Sequence, residues 1–476
     1  MLFSIPCKEK TKEEQQDTQN VKGQVPLKPL YLRSVIANFG NGVMSPFTSI
    51  YAIELGASAT EMGWFRSLNN LFANIMQIPW GILSDKFRKR VYFIILGGIL
   101  TALFWLPMIY VRNSHELLFL VASQAFVGSM VSPAWSALIG DMVHQSVRGT
   151  VTATINAAAS AGSIFATLLS GYIMEVFGSA TSSKYTIPLI LATVCGIIAS
   201  LTMFTLREPR GIRTQRYKGI KSILKENTYF RTFCYITILH SFFMTMAWPI
   251  FPITTVKVTG GNTVQIAYLS AVQGSVSLIV RRFVGRLADR AGRKPLIIFG
   301  RAGIVVVPII YAIATNVYYL YAVDFTVGVL ASASEIAVFA YLLDIVPEDK
   351  RAASIALYNT INGFSTFFGS LTGGYMADLA LSIGFGSEGS LQFVYAISAV
   401  GRLACGLLFM KIKEPYKYPS TVKREIEEMM HEDSERIKKG IEEIEEKGEI
   451  AEESLKKDLE WFENLLGPKE DKEKRQ

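Results

Sequence analysis

Asp324 and Glu335 are carboxylates in a stretch of chain that is otherwise mostly apolar from about residue 317 to 343. Eleven residues make about three helical turns, so on a helix the two share a face, roughly 16 Å apart along the axis. A charged side chain at membrane depth costs about 2.5 to 3.5 kcal/mol on insertion scales and needs a partner, water or a function. The chemistry such a group offers is reversible proton binding, which can couple a proton gradient to the movement of a solute. Glu335, nearer the middle of the stretch, is the first coupling candidate and Asp324 the second. The competing role is structural pairing, Glu335 with Arg402 or Asp324 with Arg66.

A second set of polar residues recurs at helical spacing. Arg66, Asn69, Asn70, Asn74 and Gln77 share one face. So do Asn156, Ser160, Ser163, Thr167 and Ser170; Gln273, Ser277 and Arg281; and Asn359, Asn362, Thr366 and Ser370. Such residues can be interhelical glue, or they can line an aqueous cavity. The cavity reading makes Asn38, Asn41, Arg66, Asn70, Asn74, Asn156, His240, Gln273, Asn359, Asn362 and Arg402 the candidates for contact with a small-molecule solute. A histidine such as His240, taken alone, is more often a packed, hydrogen-bonded residue.

The elements that must position these groups are apolar. Half the residues are hydrophobic and 18% charged, and a bilayer is crossed by about 20 mostly apolar residues. About twelve such segments follow one another, near 29–54, 61–84, 91–111, 116–140, 149–177, 185–206, 229–256, 263–288, 295–315, 317–343, 352–383 and 390–412. The expected layout is a tail over 1–27, a six-helix bundle over 28–206, a basic linker over 207–228, a second bundle over 229–412 and a charged helical tail over 413–476. In that last tail Ile426, Met429, Met430, Ile437, Ile441 and Ile444 recur at helical spacing. Its amphipathic helices would pack on the cytoplasmic face or hold a cytoplasmic partner.

The halves repeat one another. Gly81-Ile-Leu-Ser-Asp85-Lys-Phe-Arg88-Lys89-Arg90 returns as Gly285-Arg-Leu-Ala-Asp289-Arg290-Ala-Gly292-Arg293-Lys294, and Asp141, Arg148, Asn156, Gly171 and Tyr172 return 203 positions later as Asp344, Arg351, Asn359, Gly374 and Tyr375. A duplicated apolar unit points to transporters. Lys and Arg collect after the even-numbered segments, which places both termini in the cytoplasm of an integral multi-pass protein; a prokaryotic plasma membrane is the expected location. The net charge of +8 is explained by these loops, so no nucleic-acid partner is expected. Cys7, Cys195, Cys234 and Cys405 are scattered and suggest neither a disulfide framework nor a metal site. No Walker loop, HExxH or nucleophile elbow is present, so no enzyme, cofactor or metal is expected.

At the two basic turns the chain resembles the major facilitator superfamily, whose halves each carry Gly-x-Leu-Ala-Asp-Arg-x-Gly-Arg-Lys between their second and third helices. The second copy matches throughout; the first has Arg88 where the family has glycine. The resemblance implies an all-α membrane protein of two pseudo-symmetric six-helix bundles that move a solute by alternating access. It also implies that Gly81, Asp85, Arg88, Lys89, Arg90, Gly285, Asp289, Arg290, Gly292, Arg293 and Lys294 form a cytoplasmic gate, Asp85 facing Arg351 and Asp289 facing Arg148. The segments with polar stripes, two, five, eight and eleven, are those that meet across the halves in this fold. The family's drug/proton antiporter signatures are missing at Ser123–Gly128 and Ala161–Phe165. The expected function is secondary active transport of a small organic solute on a proton or other ion gradient, with efflux slightly favoured over uptake. The alternatives are a passive uniporter, or a sensor acting through the C-terminal helices.

Overall fold

The structure, a computed structural model, describes residues 27–414 apart from 88, 144, 179–180, 207–223, 226 and 348–349, together with 424, 425, 428 and 435. The expected N-terminal tail, most of the basic linker and nearly all of the C-terminal amphipathic helices lie outside the described residues. Among those described, every regular element is a helix. Twelve passages succeed one another: α1 (Leu27–Glu54), α2 (Ala59–Ile75 continued by Gln77–Phe87), α3 (Arg90–Tyr110), α4 (Ser114–Met142), α5 (Gln145–Phe177) and α6 (Thr181–Leu201). The second half has α7 (Thr228–Val258), α8 (Thr263–Ala291), α9 (Arg293–Ile313), α10 (Tyr318–Ile345), α11 (Arg351–Ser382) and α12 (Gly386–Leu408).

Proline sets where these helices break. Its ring clashes with the carbonyl four residues back and it has no N–H to give it. The second segment, expected as continuous, is interrupted at Met76, three residues before Pro79. Breaks at 104–106, 129–130 and 304–305 stand in the same relation to Pro107, Pro133 and Pro308. In α7 the regular helix stops at Met246, ahead of Pro249 and Pro252, and resumes through a wide turn over Thr254–Val258.

Among the described residues, nine passages are long and apolar enough, by length and composition, to cross a membrane; α1, α2 and α11 are not among them. Large side chains on the outer surface stay apolar, as with Phe119, Phe204, Ile279 and Val400, which suits a lipid boundary. Across the halves α2 packs on α11 and α5 on α8. The core is not one body. At the end of the molecule holding the two basic turns, Leu30, Ile94, Leu138 and Ile155 form a core within the first half, and Phe233, Ile297, Tyr341 and Phe409 a separate one within the second. At the opposite end a single core joins both: Phe47, Tyr51, Met62 and Tyr185 with Met246, Ile250, Ile266 and Tyr395.

Candidate functional site

Two cavities lie between the bundles and another lies within the second bundle. A central one of about 450 Å³ is lined by Arg66, Trp248, Phe251, Gln273, Tyr311, Asp324, Glu335 and Arg402. It adjoins one of about 420 Å³ in the second half, which shares Met244, Trp248, Ile304, Ala331 and Glu335 and adds His240, Arg301, Asn359 and Asn362. A third, of about 570 Å³, sits at the basic end between the halves, lined by Asn74, Gln77, Gly81, Arg90, Asp141, Arg148 and Asn359. Asn38, Asn41, Asn70 and Asn156 line none of the three. Asn38, Asn70 and Asn74 each donate to the carbonyl four residues back, on Ser34, Arg66 and Asn70, so these amides are largely satisfied within their own helices.

The charges of the cavity are paired differently from the sequence expectation. Glu335 meets Arg281 of α8 at 2.7 Å, not Arg402, and both are more than half exposed. Arg402 is buried and donates to the carbonyls of Ile304 and Met244 at 3.2 and 2.6 Å, with its guanidinium over the Phe251 ring. Asp324 and Arg66 line one cavity without pairing: among the described residues neither makes an ion pair within 4 Å. The Arg66 Nε is shielded and has no hydrogen-bond acceptor. His240 is fully buried, as the packed alternative required. Its Nε2 lies 2.9 Å from the Arg301 carbonyl and its Nδ1 3.4 Å from Arg301 Nη1. Since guanidinium only donates, the neutral tautomer with hydrogen on Nε2 satisfies both contacts. Arg301 was missed in the sequence, although an arginine within an apolar segment is the signal that marked Arg66 and Arg402.

At the basic end, Arg90 and Arg293 find carboxylates within their own halves. Arg90 pairs with Asp141 and donates to the Ala137 carbonyl at 2.8 Å. Arg293 bridges Asp289 at 3.1 Å and Asp344 at 3.0 Å. Asp289 therefore meets Arg293 of its own half rather than Arg148, which donates to the Gly140 and Val143 carbonyls; Arg351 likewise donates to Leu343. The side chain of Asp85 and all of Arg88 lie outside the described residues. Gly292 turns at φ +97°, a conformation costly for a side chain, and it is the position that Arg88 occupies in the first copy. Glu414, which the sequence reading did not single out, accepts the first amides of α9 from Arg293 and Lys294 at 3.2 and 2.8 Å. Its signal was Lys413-Glu414-Pro415 after segment twelve echoing Arg207-Glu208-Pro209 after segment six. A Cβ at Gly285 would meet nothing within 4 Å, and at Gly81 only Pro133 of the same half. Neither turn glycine is packed against the other half.

The opposite end is shut. The amide of Thr60, at the start of α2, donates to Asp378 of α11 at 2.8 Å, and Thr263 at the start of α8 donates its hydroxyl to Glu175 of α5 at 3.2 Å. Asp378 and Glu175 stand 203 positions apart, so they are repeat partners too. Each carboxylate crosses to the other half and reaches a helix N-terminus, where the backbone dipole favours negative charge. Both termini are already capped by their own residues, Ser58 with Glu61 and Asn262 with Gln265. Gly63 faces Gly374, whose added Cβ would stand 2.4 Å from the Ala59 carbonyl, and Gly171 abuts Ala267. Backbones meet there because no side chains separate them.

The Major Facilitator Superfamily model matches residues 30–238 and 233–457. An uncharacterised MFS-type transporter of Methanocaldococcus jannaschii is 21% identical over 391 residues, 80% of this chain and 96% of that one. A multi-drug resistance efflux pump of Streptococcus pneumoniae is 24% identical over 394 residues, 78% and 93% of the two chains. Among solved structures, a nucleoside transporter superposes with a TM-score of 0.66 at 14% identity, over 81% of this chain and 99% of that one. A bacterial homologue of the human lysosomal transporter Spinster, inward-facing and occupied, gives 0.65 at 14%, over 86% and 100%. Matched through both halves and folded as two helical bundles around a central cavity, the chain belongs to the Major Facilitator Superfamily and is an integral membrane transporter of that family.

Proposed function

We propose that the chain is a proton-coupled secondary transporter of a small organic solute, and that Asp324 carries the proton. The observation supporting this is the contrast between the two buried-segment carboxylates. Glu335 already holds Arg281 at 2.7 Å, so protonating it breaks an ion pair. Asp324 lines the central cavity with no cation within 4 Å among the described residues, so it exchanges a charge for a proton at the solute site without that loss. Alternating access then rocks the halves about the cavity, with the basic turns and both termini on the cytoplasmic side.

Purified protein in proteoliposomes with an imposed pH gradient tests the coupling. Wild-type flux should follow the gradient, and Asp324→Asn should leave exchange down a solute gradient while abolishing accumulation. Flux indifferent to the gradient in the wild type, or accumulation intact in Asp324→Asn, removes the proposal. Export accords with the sequence expectation and with the printed name of the S. pneumoniae relative. Proton-driven export requires that proton and solute exclude one another from the site.

A further inference from the structure

Three arginines, Arg66, Arg301 and Arg402, line the central and adjoining cavities, and a fourth, Arg281, pairs with Glu335 of their wall; the protein supplies partners for all but Arg66. Arg281 has Glu335, Arg402 has two carbonyls and an aromatic face, and Arg301 has His240. The shielded Nε atoms of Arg66, Arg301 and Arg402 all lack an acceptor, but among the described residues Arg66 alone of these three has no hydrogen bond or ion pair through the rest of its guanidinium, and it lines the central cavity. Removing a guanidinium from water without a counter-charge is expensive. A fork of five N–H donors is shaped to receive a carboxylate or phosphate in two parallel hydrogen bonds. Opposite it, Trp248, Phe251 and Tyr311 wall the same space, and about 450 Å³ holds a small organic molecule.

We propose that the solute is an organic anion, its carboxylate or phosphate taken by Arg66 and its apolar or aromatic body lying against Trp248 and Phe251. The identification of Arg66 as the anion's receptor stands on its own geometry; the coupling that follows rests on Asp324 as the proton carrier. The other titratable groups lining the cavity are Tyr311, Glu335 and Arg402, and of these Glu335 is neutralised by Arg281. An ionised Asp324 repels an anion in the shared cavity and a protonated one does not, so proton and solute favour each other's binding. By reciprocity each raises the affinity for the other by the same factor. Solute and proton would then travel in the same direction, the reverse of the exchange expected from the sequence.

The test uses the full chain in detergent and a set of aryl carboxylates of one to three rings, each with its matched amide and primary amine. Carboxylates should bind at least tenfold more tightly than their amides. Arg66→Gln should erase that difference while leaving amide binding unchanged, which also shows the cavity intact, and Arg66→Lys should restore part of it. Wild-type carboxylate binding should strengthen between pH 8 and pH 6, and Asp324→Asn should flatten that dependence. Amines binding more tightly than carboxylates, no carboxylate binding, or an unchanged preference in Arg66→Gln overturns the assignment. Proton-driven flux of an amine would leave the transporter standing and remove the anion. Carboxylate binding without flux of any compound would do the opposite.

Discussion

The two ends of the molecule use the same repeat to different effect. At the basic end, the repeated charges find partners inside their own half: Arg90 with Asp141, and Arg293 with Asp289 and Asp344. At the opposite end, the repeated carboxylates Asp378 and Glu175 cross to the other half, and glycines let α2 and α11 touch backbone to backbone. The cores follow suit, separate at one end and joined at the other. The contrast teaches that closure is carried here by dipoles and bare backbone, which form or part without stranding a buried charge, whereas the arginine pairs are internal fittings of each half.

The strongest way to break this comparison is Gly374→Leu. Overpacking a filled contact costs about 1 to 3 kcal/mol, and this contact exists only when the end is shut. Labelling of Ile50→Cys in the cavity wall by an impermeant maleimide, added from the side opposite the basic turns, should rise about five- to 150-fold; unchanged labelling would mean that the packing is not what holds the end closed. Next comes Glu175→Gln with Asp378→Asn. A charge at a helix N-terminus contributes about 0.3 to 1 kcal/mol, so losing two should raise the same labelling about three- to thirtyfold, and each single variant should give part of it. Arg293→Ala should act on stability instead. It leaves Asp289 and Asp344 without this partner, lowering the unfolding midpoint by an amount equivalent to about 1 to 3 kcal/mol while moving Ile50→Cys labelling less than threefold. A tenfold change would show that the basic-end pairs are part of the gate. The smallest effect belongs to Arg281→Ala, since an exposed ion pair is worth about 0 to 1 kcal/mol; the thermal midpoint should barely shift.

Much of the fold was legible because its signals are local or periodic. Apolar length located the passages, and the repeat tied Asp141 to Asp344 and Tyr172 to Tyr375. Three residues beyond Tyr172 and Tyr375 the same repeat reaches Glu175 and Asp378, which were overlooked only because a carboxylate near a segment end looks like ordinary solvated charge. The cavity was legible in part: Arg66, Gln273, Asn359 and Arg402 face it. Pairing was not legible. Whether Glu335 meets Arg281 or Arg402 depends on how α10 is rotated against α8 and α12, and the period of one helix says nothing about the angle of its neighbour. For the same reason the stripe on α2 was read as one wall, whereas Arg66 reaches the central cavity, Asn74 and Gln77 the basic-end cavity, and the Asn70 amide its own backbone.

The polar residues of α1, α2 and α11 also bear on how the protein is made. A helix enters the bilayer by its own apolarity, and these three fall short of the other nine. During synthesis α1 emerges before α5 and α6, and α2 before α4 and α11, exist to shelter them, whereas α11 emerges with most of its bundle already in place. Early insertion is therefore the weak step of the first half, and chains truncated after α2 should cross the bilayer incompletely, as glycosylation mapping of nascent chains would report, until the later helices of that half are added.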